Sequence, residues 1–287
     1  MRIGAVFPQT ESGTDPGALR ALLEGVWELG CTHLHAYDHV LGADRSRHTH
    51  LTGPYGAEHQ FHEILVFFGY AAAVVPGLEL VTDIVIAPQR QTALLAKQAA
   101  EIDLLTRGRF RLGLGIGWND VEYEALGMDF SNRGRRFEEQ IELLRRLWTE
   151  PVLDFRGRWH TVTAAGINPL PVQRPIPIWI GGSAEPALRR AARLGDGYFP
   201  QRPLEGGWPA TIERVRGWVR EAGRDPDRFG IDARIPVSQG TPEEWRAEAE
   251  RWRSLGATHL SLVTAGGGLE GPDAHLERLR LALDAVR

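Results

Sequence analysis

Between Glu79 and Asn119 the chain reads ELVTDIVIAPQRQTALLAKQAAEIDLLTRGRFRLGLGIGWN, and no other stretch limits the possible folds as tightly. A run rich in β-branched residues ends at Ala87-Pro88. A helical segment follows, with Leu95, Ala99 and Ile102 at helical spacing. A second strand-like run then closes on Gly113, Gly115 and Gly117. The result is one strand–helix–strand unit with unusual residues at the C-terminal ends of both strands. In parallel α/β proteins those ends hold the ligand, so the stretch indicates both an architecture and the position of a site.

The same alternation runs through the whole chain. Strand-like runs at Arg2–Pro8, Thr32–Val40, Leu78–Ala87, Arg109–Gly117, Pro177–Gly181, Gly197–Pro200, Phe229–Val237 and His259–Thr264 alternate with helical segments. Thr241, with Glu244 three residues on, predicts a capping box at the start of a helix over Pro242–Leu255. Between Pro151 and Pro177 five prolines exclude a helix. Within that region Val152–Phe155 and Arg158–Val162 flank Arg156-Gly157 and predict a hairpin. Eight β-α units without a linker-like boundary predict an α/β fold, a TIM (β/α)8 barrel with an insertion after strand four, built as a single domain over 1–287. A doubly wound sheet is the competing arrangement.

Composition narrows the partners. The formal charge of −4 gives no basic excess to attract nucleic acid or an anionic membrane. The single Cys31 excludes an internal disulfide framework and suits a reducing, cytoplasmic setting. No apolar run reaches transmembrane length. The expected partner is therefore a small-molecule substrate.

Several strand ends carry residues with chemical potential. Asp38-His39 is an acid-plus-imidazole pair; a His there acts as general acid or base, tuned by the adjacent carboxylate, or else it is a structural His bonded to the neighbouring loop. Gly181-Gly182-Ser183 ends one strand and opens a helix, the pattern of a backbone phosphate cradle or of a plain βα turn capped by Ser183. Gly113, Gly115 and Gly117 do not form a dinucleotide fingerprint, because the spacing lies within the strand. They serve barrel packing or the close approach of a flat ring, the latter fitting Gly117 best. His48, His50, His59 and His62 cluster after the second strand without a matching carboxylate or Cys set, so they indicate a lid over Leu41–Gln60 and not a metal site. Arg107, Arg109 and Arg111 read as solvent contacts. Arg133, Arg135 and Arg136 read either as solvated or as holding an anionic tail. No nucleophile elbow and no P-loop appear, which leaves cofactor redox chemistry as the best fit.

These stretches resemble the luciferase-like monooxygenase superfamily, and within it the oxidoreductases that use the deazaflavin coenzyme F420. The likeness is densest in LTGPYGAEHQFHE, GRFRLGLGIGWNDVEYEALGMDFSNRGRRFEEQ and PIPIWIGGSAEPALRRAARLGDGYFP, together with the stretch quoted first. The resemblance implies a tricyclic ring in the barrel mouth, with FMN as the alternative coenzyme, and a homodimer. It also implies a bulge with a non-prolyl cis peptide at Asp83, Ile84 and Val85 behind the ring. Asp38-His39 would be the catalytic pair, Gly117, Trp118 and Asn119 the edge of the ring pocket, and Gly181 and Gly182, with Ser183, the phosphate site. Sugar-phosphate dehydrogenases of this superfamily have Glu where this chain has Trp118, so that substrate class and that proton donor do not carry over.

Overall fold

The computed structural model describes residues 1–287. Strands β1 (Arg2–Val6), β2 (His33–Ala36), β3 (Glu79–Thr82), β4 (Val85–Ile86) and β5 (Phe110–Gly115) come first. A hairpin of β6 (Leu153–Arg156) and β7 (Thr161–Ala165) follows, then β8 (Ile178–Gly181), β9 (Gly197–Phe199), β10 (Gly230–Pro236) and β11 (His259–Val263). The large sheet has nine segments in the order β3-β2-β1-β11-β10-β9-β8-β5-β4, and β3 also pairs with β5. β4 continues β3 beyond Asp83-Ile84, so nine segments make eight staves. All pairs are parallel and the circle closes, which is the expected barrel.

Helices α1 (Pro16–Glu28), α2 (Ile64–Val74), α3 (Thr92–Leu105), α4 (Asp120–Ala125), α5 (Arg133–Thr149), α6 (Glu185–Leu194), α7 (Gly207–Glu221), α8 (Pro242–Ser254) and α9 (Gly271–Val286) surround it, with short 3-10 turns at Ala87–Gln89 and Pro226–Arg228. Local chemistry sets several starts. Asp15 accepts the Ala18 N–H ahead of Pro16, which loses nothing at a helix start for lack of its own N–H. The capping box of Thr241 and Glu244 forms as the sequence predicts. The apolar core lies between the sheet's outer face and the helices, with Leu34, Leu80, Leu112 and Ile178 meeting Phe68, Ile102, Leu144 and Trp148. The proline-rich insertion carries the antiparallel hairpin, placed after the fourth stave. No helix is long and apolar enough to cross a membrane.

The barrel interior departs from the usual branched aliphatic filling. Inward positions alternate along each strand, and here they bring His33, His35, Glu79, Arg111, Asp232 and Ser261 together. His35 sits between two carboxylates, Nε2 3.0 Å from Asp232 and Nδ1 3.1 Å from Asp83. Arg111 donates to Asp232 at 3.0 Å and to Glu79 at 3.1 Å and lies 4.3 Å over the Trp179 ring. It is 3% exposed, so the expectation of a solvent contact is wrong for Arg111; alternation along β5 turns it inward. Glycines make room for these large groups. A Cβ at Gly230 would come within 2.1 Å of the Trp179 ring, and one at Gly4 within 2.5 Å of the His33 ring.

Candidate functional site

A cavity of about 770 Å³ opens at the C-terminal ends of the strands. That is within the range of small-molecule sites. The lining includes His39, Ile84, Gly117, Trp118, Gly181 and Arg234.

His39 follows β2 and stands in an aromatic box. Ring centroids lie 4.9 Å from Phe61, 5.4 Å from Tyr55 and 5.8 Å from Trp118. Its Nδ1 is 3.5 Å from Glu122 Oε2, while Nε2 makes no hydrogen bond within the protein. Glu122, on α4, is fully buried and also accepts the N–H groups of Val40 at 2.5 Å and Leu41 at 3.2 Å and the Gln89 amide at 3.1 Å. Burial pushes the Glu122 carboxyl up, but His39, Gln89 and Val40 outweigh it and hold it below the usual range. Glu122 is therefore a carboxylate that orients both the imidazole and the loop carrying it.

Asp38 does not have the tuning role expected of it. Its carboxylate turns away to Arg90, 2.8 Å off, and to the Ile86 N–H at 3.2 Å. Arg90 in turn reaches Glu63 at 2.9 Å. Burial raises the Asp38 pKa against the opposing pull of Arg90. Asp38 fastens the β4 end, and Glu122 takes the place of the adjacent acid.

The Asp83–Ile84 peptide is cis, as the resemblance implies. The carboxylate of Asp83 points down into the barrel with no exposed surface, bonded to His35 and, at 3.2 Å, to Arg234. Ile84 faces the cavity. A Cβ on Gly115 would come within 2.5 Å of it and a Cβ on Gly181 within 2.9 Å, so those glycines admit the Ile84 side chain. Val85 is sealed in the core and is not on the cavity wall. Asn119 is likewise buried; it caps α4 by accepting the Glu122 N–H at 3.3 Å. Both were expected at the ring pocket, and in both cases strand alternation or helix capping turns the side chain away. Gly117 has φ +64°, a left-handed conformation that favours glycine, and a Cβ there would come within 2.9 Å of the Ile86 side chain.

Gly181, Gly182 and Ser183 line the cavity ahead of α6. The N-cap of α6 is Ala184, without a side-chain bond, so the Ser183 hydroxyl is not used in capping. The lid segment is held at its middle: His50 lies 3.0 Å from Asp120, and Gly53 packs so closely on Trp118 that a Cβ would fall 2.3 Å from the ring. His59 pairs with Glu58 and His62, just past the lid, with the Gly13 carbonyl, so the four histidines do not converge. His33, His35 and Asp232 do converge, but Arg111 sits on the same Asp232 oxygen and supplies the positive charge. Arg136 is no anion site either; it donates to the Pro88 carbonyl.

The sequence reading missed Glu122, Arg234, Tyr37 and Tyr55. For Arg234 a signal existed: Asp232 and Arg234 alternate in a strand otherwise apolar. Glu122 carries no such mark, because only the folded loop brings it to His39.

Comparison with known proteins gives the family context. The model of the family described as luciferase-like monooxygenase matches residues 35–281. The FMNH2-dependent dimethylsulfone monooxygenase of Pseudomonas fluorescens is 34% identical over 199 residues, 68% of this chain and 53% of that protein. An uncharacterised protein of Mycobacterium tuberculosis is 36% identical over 168 residues, 57% of this chain and 56% of that one. The chain thus spans about half the length of these relatives. Among solved structures, the monooxygenase RslO1 from Streptomyces bottropensis superposes with a TM-score of 0.79 at 20% identity, covering 100% of this chain and 98% of that one. An F420-dependent secondary alcohol dehydrogenase in complex with an F420-acetone adduct gives 0.78 at 17% identity, covering 100% and 99%. At such identities these two likenesses establish the fold.

Proposed function

From the premise that the chain belongs to the luciferase-like monooxygenase family, we propose that it is an oxidoreductase whose cavity binds the deazaflavin coenzyme F420 and exchanges hydride with a neutral organic substrate. The carrying observation is the His39–Glu122 pair, with the apolar Ile84 side chain, at the mouth of a cavity large enough for a tricyclic ring. The residues present fit that group. Ile84 offers an apolar surface for the ring, the glycines at 115, 117 and 181 keep the wall flat, and the backbone ahead of α6 offers N–H groups to a phosphate. The coenzyme, when bound, supplies or accepts the hydride.

The chain's own residues do the rest. Glu122 holds His39 by Nδ1 and leaves Nε2 turned to the cavity, where it gives or takes the substrate proton. Tyr55, Phe61 and Trp118 exclude water around the imidazole and shape an apolar compartment. That compartment suits a neutral substrate better than a sugar phosphate. Exposed Val66 and Tyr70 on α2 support a homodimer, tested by light scattering.

Equilibrium fluorescence titration tests the coenzyme. Saturable F420 binding in the micromolar range or tighter is expected, with His39→Ala binding equally well but not turning over. Binding of FMN without F420 would overturn this reading. It would support the second one, a monooxygenase using reduced FMN and O2, which the 34% identity to the dimethylsulfone monooxygenase favours.

A further inference from the structure

Arg234 is the group that joins the sealed interior of the barrel to the cavity. It stands two residues beyond Asp232 on the inward side of β10, and its Nη1 lies 3.2 Å from Asp83 Oδ2. Below it the ionised groups are closed off: the side chains of His35, Asp83 and Asp232 have no exposed surface and Arg111 has 3%. The Arg234 side chain keeps 21%, and it lines the cavity.

The charges of this lattice do not cancel at Arg234. Asp83 is shared by His35 and Arg234, Asp232 by His35 and Arg111, and Glu79 by Arg111 and Arg2. With His35 as an imidazolium, four cations face three carboxylates. One of the four, Arg2, is 49% exposed at the opposite end of the barrel; at the cavity end the single Asp83 carboxylate is shared by His35 and Arg234, and Arg234 is the cation that meets the cavity. Burial alone would lower its pKa, but Asp83 and its neighbours more than offset that, so it is a permanent cation. Of the other charged cavity residues, Asp38 pairs with Arg90, Asp120 with His50 and His39 with Glu122; Arg202 also lines the cavity but is exposed to solvent, whereas Arg234 is largely buried.

We propose that Arg234 makes the cavity prefer the reduced form of the tricyclic coenzyme over the oxidised form. The inference rests on the coenzyme reading above. Hydride addition brings two electrons and one proton to the ring and leaves a negative charge on its pyrimidinedione half. A fixed, partly desolvated cation stabilises that charge without reorganisation, and binding the anion more tightly raises the bound couple's potential. The Asp83 carboxylate sets the size of the effect, because it holds the guanidinium in place and cancels part of its charge.

Titration of the folded protein with oxidised and with reduced F420, and anaerobically with both forms of FMN, tests this. The wild type is expected to bind the reduced form more tightly. Arg234→Met should weaken reduced-form binding about tenfold or more and oxidised-form binding under about threefold; a tenfold change in that ratio is about 30 mV for a two-electron couple. Arg234→Lys should keep part of the preference. Asp83→Asn, which removes the cancelling charge, should increase it, and this variant carries the test if Arg234→Met does not fold. Equal loss for both forms in Arg234→Met, or a lowered preference in Asp83→Asn, would overturn the proposal. Binding of FMN without F420 would overturn the F420 reading and leave the two forms of FMN to test the role of Arg234; absence of saturable binding of any form to the wild type would overturn both.

Discussion

The two ends of the barrel use charge in opposite ways. Below the floor formed by Asp83 and Ile84, each ionised group has its counter-charge within hydrogen-bond reach: His35 against Asp83 and Asp232, Arg111 against Asp232 and Glu79. Above it, His39 keeps a free Nε2 and Arg234 a partly exposed guanidinium. The same strands supply both ends. β2 carries His33 and His35 inward and then leads to His39, and β10 carries Asp232 and then Arg234. Two residues along β10, and four along the chain from His35, thus separate a closed ion pair from a group left available to a ligand.

The sharpest way to break the comparison is at the closed end. Asp232→Ala takes from the buried His35 and Arg111 one of the two carboxylates that each has, leaving Asp83 and Glu79 alone to balance them, and an expected loss of about 3–5 kcal/mol follows. Urea unfolding measures it, and a loss below about 1 kcal/mol would mean the interior lattice holds little of the fold. Gly113→Ala comes next. A Cβ there would lie 1.8 Å from the Thr82 carbonyl, a backbone atom that cannot rotate aside, so the barrel must open locally at a cost of about 1–3 kcal/mol.

Acidity probes the same lattice more gently. Burial lowers His33 well below the ordinary imidazole value of 6.5 and takes His259 to about 3, so both are neutral in the fold. The unfolded chain protonates them near that ordinary value, and folding stability falls as pH drops through it. His35 behaves in the opposite sense. Burial works against its charge, but Asp232 and Asp83 outweigh burial and raise its pKa. Its contribution is complete below the ordinary imidazole value and is lost as pH rises through the folded one. Burial also pushes up Asp83 and Asp232, yet Arg234 holds the first low and His35 the second. Their contribution is lost only as pH falls through the carboxylate range. A stability maximum near neutrality follows, with a shallower acid limb in His259→Asn, read from thermal midpoints across pH.

At the open end, Gly53→Ala should cost little stability, under about 1 kcal/mol, because the lid carries few core contacts. It should displace the Trp118 ring and change tryptophan emission, and an unchanged spectrum would show that the lid does not rest on Trp118.

The barrel frame was legible in the sequence, and the partners of its charged side chains at either end were not. The strand–helix–strand stretch gave the barrel because strand and helix periods are local properties. The cis peptide position and the glycine wall came with the resemblance. Asp38 was misread because adjacency in sequence does not place two side chains on one face; residues 38 and 39 point apart, and the acid beside His39 arrives from 83 positions later. Val85 and Asn119 failed for the same reason. Arg111 was misread as exposed because a charged residue inside a barrel needs partners from other strands, and no local pattern announces them.

The most direct test of the central claim is a crystal structure of the protein with reduced F420 bound. The ring is expected against Ile84 in the barrel mouth, within reach of His39 Nε2, with a phosphate at the backbone of Gly181 to Ser183. A ring bound elsewhere, or a cavity filled by a ligand that leaves Ile84 and His39 untouched, would contradict it.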